Sequence, residues 1–260
     1  MIGLSKITTV PRSMGRPRGG PFRYDRTLRP ELSMSSPIKI LSGGAMRPVM
    51  AAMVPLFERA NTFAVDIEFR LTSALQKAIL DGFVFDLAIL PRAELDGLAV
   101  AGRITAGTTA DVARSAIGVA VRAGAVRPDI GTVASFKRAL QEAASIAYSD
   151  GPSGAYIGAL LRRLGLEDEM RPKATLTGRP VAELLAEGVA EIGMQQIVAI
   201  LPVKGAELVG PLPHDLQNII VYAAGISTAA QNSAAAESFI AFMRSPRVAD
   251  IIRDKGLEPG

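Results

Sequence analysis

The sequence predicts an α/β fold in which most strands run parallel. Three short apolar segments, at residues 38–41, 65–69 and 85–90, each give way within a few residues to a segment with helical spacing of apolar side chains. Strands that alternate with helices through short connections form right-handed βαβ units, and such units build parallel sheets. The alternation returns after residue 130, so we expect a second set of strands and helices.

The helix predicted at residues 46–60 shows the clearest amphipathic pattern, with apolar side chains on one face at Met46, Val49, Met50, Met53, Leu56 and Phe57. The other predicted helices span residues 72–80, 91–102, 132–143, 155–164, 180–187, 195–201 and 234–256, the last interrupted near Pro246. The other predicted strands span residues 115–121, 145–148, 174–176, 191–194, 207–209 and 218–224.

Composition excludes several kinds of chemistry. The chain of 260 residues has no cysteine, which excludes disulfides, thiolate nucleophiles and cysteine-ligated metals. The single histidine, His214, cannot form a multi-histidine zinc site, and we expect it in a surface loop. Aromatic residues make up only 5% of the chain, too few for base stacking on nucleic acid. We therefore expect no metal, no cofactor and no nucleic-acid partner.

The positive charge is concentrated near the amino terminus. Residues 1–36 carry a net charge of +5, so the rest of the chain, within a total of +4, carries −1. Rich in Pro, Gly, Ser and Arg, this segment is predicted to be disordered, and it lacks the apolar run of a signal peptide. Either Met34 is the true start of translation, or residues 1–36 form a basic arm. We also expect no transmembrane helix, because no run of about 18 apolar residues occurs.

Four junctions before predicted helices are rich in glycine, hydroxyl-bearing or other small residues. At a helix amino terminus the first amides have no intrahelical acceptor, and the helix dipole adds positive potential. In open α/β sheets such junctions border the crevice at the carboxyl ends of the strands, where ligands bind. Each junction alone is also typical of an ordinary helix cap. Together they favour a cleft that holds an anion with neutral donors; they are Ser42-Gly43-Gly44, Thr72-Ser73, Ser153-Gly154 and Gly178-Arg179-Pro180.

Several of these segments, in this order, resemble the molybdate-binding type of periplasmic solute-binding proteins of ABC transporters. The resemblance covers about residues 37–260. It rests on the order and spacing of short motifs: 42–46 (SGGAM), 69–74 (FRLTSA), 85–90 (FDLAIL), 147–150 (AYSD), 152–154 (PSG), 185–188 (LAEG) and 191–193 (EIG).

This resemblance implies a type II periplasmic-binding-protein fold, with two α/β lobes that close over a ligand by a hinge motion. Lobe 1 would comprise residues 37–117 and 222–260, and lobe 2 residues 118–221. The hinge strands would lie at residues 117–121 and 220–224.

The resemblance and the junctions together give a set of candidate ligand-binding residues. Arg92 is included because it directly follows a buried strand at its carboxyl end, although the more common role of such an arginine is a surface charge. The set is Ser42, Gly43, Gly44, Thr72, Ser73, Arg92, Ser153, Gly154, Pro180, Val181, Gln195 and Gln196.

The chain departs from the family at Gln195-Gln196, where molybdate-binding members commonly have a tyrosine. An amide side chain both donates and accepts hydrogen bonds, whereas a bare tetrahedral dianion only accepts them. The departure makes an organic carboxylate at least as favourable a ligand as molybdate.

We therefore expect a monomeric, non-catalytic protein that captures a small anion for an ABC transporter permease. The resemblance implies a periplasmic location, and the absence of a visible signal peptide favours the alternative of a cytoplasmic ligand sensor with the same clamp. An enzyme is the third possibility, but Ser153 lacks the spacing of a nucleophile elbow. The carboxylates available for catalysis show no recognised acid–base spacing; they are Asp86, Asp150, Glu183, Glu187 and Glu191.

Overall fold

A computed structural model describes residues 22–23 and 36–260, and it confirms the α/β fold. The predicted tail lies, apart from residues 22–23 and 36, outside the described residues. The strands are β1 Phe22–Arg23, β2 Ile38–Gly43, β3 Val65–Arg70, β4 Leu87–Pro91, β5 Ala110–Arg122, β6 Ile146–Ser149, β7 Ala174–Thr177, β8 Ile192–Gln196, β9 Ala206–Pro211, β10 Ile219–Ile226 and β11 Glu258–Pro259.

The helices are α1 Arg47–Ala60, α2 Thr72–Leu80, α3 Arg92–Val100, α4 Val133–Glu142, α5 Pro152–Arg163, α6 Glu167–Met170, α7 Val181–Ala186, α8 Ile197–Ile200, α9 Ser233–Met243 and α10 Pro246–Asp254. Short 3₁₀ turns occur at Gly44–Met46, Arg171–Lys173 and His214–Leu216.

Most predicted elements exist, with shifted ends. The strand predicted at residues 115–121 is longer and begins at Ala110. The helix predicted at 234–256 is two helices, because Ser245 is extended and Pro246 starts a new first turn. The segment predicted as helix at 195–201 begins two residues later, since Gln195 and Gln196 still belong to β8. Elements β1, β11 and α6 were not predicted.

The strands form one curled, mixed sheet with two parallel parts. In the first part the order is β1-β3-β2-β4-β10-β5, and β3, β2 and β4 are parallel. In the second part the order is β5-β8-β6-β7, and β8, β6 and β7 are parallel. Strands β9 and β11 pair with β5. The two parts are called the first and second sheets below.

Strand β5 belongs to both sheets and changes partners at Ile117. Residues before Ile117 pair with β10, and Ile117 itself pairs with Gln196 of β8. At the change, the side-chain amide of Gln217 accepts a hydrogen bond from the Ile117 N–H and donates one to its carbonyl, both at 2.9 Å. Gln217 thus takes the place of a strand neighbour for the Ile117 N–H, while the Ile117 carbonyl also accepts the Leu212 N–H at 3.0 Å.

Each sheet has its own apolar core. Helices α1, α9 and α10 cover one face of the first sheet, where Phe57 and Phe239 meet edge to face at 4.9 Å. Helices α4 and α5 cover the second sheet around Phe136, Ile157 and Leu160. Within the described residues, no helix has the length and apolar character needed to cross a membrane.

Candidate functional site

The carboxyl ends of the parallel strands in the two sheets meet beside Tyr222 on β10. The backbone of Tyr222 is in register with Pro91, the last residue of β4. Its hydroxyl donates a hydrogen bond of 2.9 Å to Oε1 of Gln196, the last residue of β8. The turn at Gly44–Met46, which follows β2, also contacts α8, which follows β8. The ends that border ligand crevices in α/β folds therefore face each other here.

Tyr222 is a buried hydrogen-bond donor at this junction. Its side chain lies almost entirely out of solvent, with the residue only 3% exposed. Burial raises the pKa of Tyr222 to about 12, an effect that outweighs the opposing hydrogen bond to Gln196. The hydroxyl therefore keeps its proton throughout the physiological pH range.

In the first sheet, the structure brings Gly43 and Thr72 together. A Cβ atom on Gly43 would lie 3.7 Å from Oγ1 of Thr72, so the turn after β2 adjoins the start of α2. Helix α2 has no side-chain cap, because the preceding residue is Leu71. The amides of its first turn, at Thr72 and Ser73, therefore remain available for an acceptor outside the helix.

In the second sheet, α5 begins directly over the end of β6. The hydroxyls of Ser149 and Ser153 lie 3.0 Å apart, and both residues are buried. Gly154 allows this packing, because a Cβ there would lie 1.4 Å from the carbonyl oxygen of Ser149. Helix α5 also has no side-chain cap, whereas α4 carries a full capping box from Thr132 and Ser135.

Gln195 and Gln196 present donors rather than acceptors. Oε1 of Gln195 accepts the amide of Val181 at 3.0 Å and so caps α7, while Oε1 of Gln196 is occupied by Tyr222. Within the described residues, neither Nε2 atom has a hydrogen-bond partner. Neither is a buried atom without a partner, so both Nε2 atoms are accessible to solvent. Both amides therefore offer N–H groups to a ligand, and the preference for an organic carboxylate over molybdate stays a prediction.

Two predicted site residues are less available than the sequence implied. Ser42 is completely buried on β2, and its hydroxyl donates only to the neighbouring carbonyl of Gly43, at 3.3 Å. Val181 is buried and its amide is capped by Gln195. Pro180 and Gly44 are exposed beside these residues.

Arg92, the one charged candidate, is held by two carboxylates. Its guanidinium pairs with Asp96 at 2.9 Å and with Asp111 at 2.7 Å. These hydrogen bonds, that to Asp111 first, raise the pKa of Arg92 above its usual value. Its charge is thereby balanced within the first sheet.

Two further arginines near these strand ends are paired as well: Arg70 binds Glu68, and Arg179 binds Glu183 on α7 and Glu187 at the C-cap of α7. The guanidinium of Arg47, at the start of α1, lies over the Phe69 ring, 5.0 Å from its centroid. The hydrogen bond from Arg179 holds the pKa of Glu187 below its usual value. The candidate site therefore offers mainly neutral donors.

A cavity of about 600 Å³ lies elsewhere, at the amino-terminal end of β8 and beside α4. Val121, Ala139 and Ile192 are among the residues that line it. This cavity is remote from the strand ends described above. In the described residues no group of His, Asp and Glu side chains could hold a metal ion, and His214 is fully exposed.

Sequence reasoning missed Tyr222. It occurs in the segment predicted as a hinge strand, but it lies 26 residues after Gln196, the residue it contacts. Pairing of β4 with β10 brings it to the site, and that pairing is not readable from local spacing. The presence of a tyrosine in a predicted hinge strand could have indicated this contact, because a buried tyrosine hydroxyl usually has a hydrogen-bond partner.

A sequence model of the family described as bacterial extracellular solute-binding protein matches residues 38–258. The chain is also 29% identical over 229 residues to a protein named aconitate isomerase from Pseudomonas sp, covering 85% of this chain and 87% of that protein.

Solved structures share the fold. The periplasmic molybdate-binding protein of Azotobacter vinelandii matches with a TM-score of 0.71 at 19% identity, over 86% of this chain and 99% of that one. The sulfate-binding protein SubI of Mycobacterium tuberculosis H37Rv matches with a TM-score of 0.69 at 15% identity, over 86% and 87% of the two chains. The predicted type II periplasmic-binding-protein fold is therefore confirmed.

Gly154→Ala is expected to lower the free energy of unfolding by at least about 2 kcal/mol, since its Cβ would overlap the Ser149 carbonyl. Gly158→Ala is the control, because it lies in open space on the same helix and should stabilise by up to about 1 kcal/mol. Urea unfolding followed by circular dichroism measures both. Equal effects of the two substitutions would contradict the packing described for α5.

Proposed function

Because the chain belongs to the bacterial extracellular solute-binding protein family, we propose that it binds a small anion between its two sheets and releases it unchanged. The expected ligand is a tetrahedral oxyanion or a small organic carboxylate. Delivery to an ABC transporter permease, a periplasmic location and a monomeric state belong to the same proposal.

The observation that carries this proposal is the convergence of unused donors from both sheets. Helices α2 and α5 begin at the carboxyl ends of β3 and β6 without side-chain caps. Between them, Tyr222 joins the two sheets, and the Nε2 atoms of Gln195 and Gln196 have no partner in residues 36–260. Helix amino termini and neutral N–H donors are the groups that hold buried anions.

The balanced arginines argue for the same mode of binding. Arg70, Arg92 and Arg179 each pair with carboxylates of their own sheet. With these three guanidinium groups occupied, an anion would be held mainly by hydrogen bonds and helix dipoles. Such a site favours ligands that accept many hydrogen bonds in a small volume.

The two sheets would act as lobes that close over the ligand. We place the lobes at residues 37–117 with 222–260, and at 118–221, with β5 and β10 providing the hinge. The change of partners at Ile117 supports this division, since among the described strands β5 alone runs continuously through both sheets.

The ligand-binding proposal is tested by a thermal-shift screen of molybdate, sulfate, succinate, malate, citrate and cis- and trans-aconitate. A ligand that binds only the native state stabilises it by about 2.7 kcal/mol at 100 times its Kd. We expect at least one of these anions to raise Tm by about 5 °C or more. A Tm that no member of the screen changes would refute the proposal.

Thr72→Val tests the residues at the site. Removing the hydroxyl while keeping the shape should raise the Kd of the anion found by the screen about 10-fold, since a hydrogen bond to a charged group contributes about 1.5–3 kcal/mol. Thr109→Val is the control, because Thr109 is half-buried before β5 and away from the site. Isothermal titration calorimetry measures the Kd; equal affinities of the two variants would place the ligand elsewhere.

A second candidate function is isomerisation of an unsaturated carboxylate. The observation that favours it is the relative named aconitate isomerase, which aligns over most of both chains. Incubation with trans-aconitate, followed by chromatographic separation of the isomers, tests it. Formation of cis-aconitate above the rate of a heat-denatured control would establish the activity, and identical rates would exclude it for this substrate.

A further inference from the structure

The sequence offers five carboxylates for binding or catalysis, and in the structure four of them accept hydrogen bonds from other residues of the chain. Asp86 is buried and accepts backbone amides from Lys39, Gln231 and Asn232 at 2.8–2.9 Å. Glu191 accepts the amide of Ala144 at 2.8 Å. These two side chains hold loops in place, and Glu191 lies at the amino-terminal end of β8, away from the candidate site.

The next two carboxylates form a local ion-pair group. Glu183 on α7 and Glu187 at the C-cap of this helix both bind the guanidinium of Arg179. They balance one arginine on an exposed helix face, which is a structural rather than a ligand-directed arrangement.

Asp150 is the exception. It directly follows β6, at the carboxyl end of the second sheet, and its amide donates to the Thr177 carbonyl at 2.9 Å. Its carboxylate stands beside the loop before α7, with Oδ2 3.1 Å from the position of a Cβ on Gly178. The residue is exposed, and its carboxylate makes no hydrogen bond or ion pair in residues 36–260.

A free carboxylate among donors for an anion has a consequence for the ligand. It repels a bare dianion such as molybdate or sulfate, whose oxygens only accept hydrogen bonds. The same repulsion acts on an organic anion, but a hydroxyl on that anion offsets it, because an O–H group donates a charge-assisted hydrogen bond to a carboxylate. A neutral acceptor such as asparagine would remove the repulsion and form only a weaker hydrogen bond with the hydroxyl.

We propose that Asp150 determines specificity by accepting a hydrogen bond from the ligand, and that the ligand is a small hydroxylated carboxylate. This inference rests on the proposed binding function and names its substrate class. Donors from α2, α5 and the two glutamines bind the carboxylate groups of the ligand, and Asp150 binds its hydroxyl.

The test compares pairs of anions that differ by one hydroxyl: malate with succinate, and citrate with tricarballylate. Calorimetry is carried out on the unmodified protein, on Asp150→Asn, and on Glu237→Gln as the control. Glu237 is an exposed carboxylate on α9 without a partner in the described residues, so its loss matches the change in charge alone.

The unmodified protein and Glu237→Gln should bind at least one hydroxylated member 10-fold or more tightly than its partner. Asp150→Asn should reduce that ratio below about 3-fold and tighten binding of the member without the hydroxyl. A ratio near one in the unmodified protein, or a ratio unchanged by Asp150→Asn, would overturn this inference while leaving anion binding intact. Failure of every anion to bind would overturn both proposals.

Discussion

Strand β5 is the constraint on which the rest of the structure depends. It runs through both sheets and exchanges β10 for β8 at Ile117, so the carboxyl ends of two separate groups of parallel strands must face each other. The double hydrogen bond from Gln217 stabilises this exchange. Buried backbone groups without a hydrogen-bond partner are costly. At the exchange, the side chain of Gln217 pairs with both backbone groups of Ile117, so β5 can change partners within one residue.

The electrostatics of the site follow from this geometry. Helices that start at facing strand ends direct their positive dipole ends toward one region. The guanidinium groups of Arg70, Arg92 and Arg179 are balanced by carboxylates within their own sheets. The side-chain N–H groups of Gln195 and Gln196 supply further donors, and the hydroxyl of Tyr222 holds Gln196 in place by donating to its Oε1. Asp150 adds an exposed carboxylate directly after β6.

Much of the fold was predictable because its signals are local. The spacing of apolar residues predicts the parallel strands and their helices, as it does for β2 and α1. The junctions rich in glycine and hydroxyl groups likewise mark where the helices begin. The long span of β5 was only partly predicted, because Asp111 and Arg114 interrupt the apolar run. Its pairing on both sides keeps these polar residues in the strand.

The site was less predictable because its contacts are distant in sequence. Gln195 caps a helix that begins 14 residues earlier, and Arg92 is balanced by Asp111, 19 residues later. Ser42 was predicted as a ligand residue from its junction, and the structure buries its side chain at the end of β2, with its hydroxyl donating to the Gly43 carbonyl. Local spacing could not separate these cases, since each depends on which strands become neighbours.

The most direct test is a crystal structure of the protein with the anion that stabilises it most. The account predicts density for the ligand between the starts of α2 and α5, within hydrogen-bond distance of Thr72 or Ser73 on one side and of Gln196 or the Ser153 amide on the other. Density in the cavity between β8 and α4, or contact with one sheet alone, would contradict it.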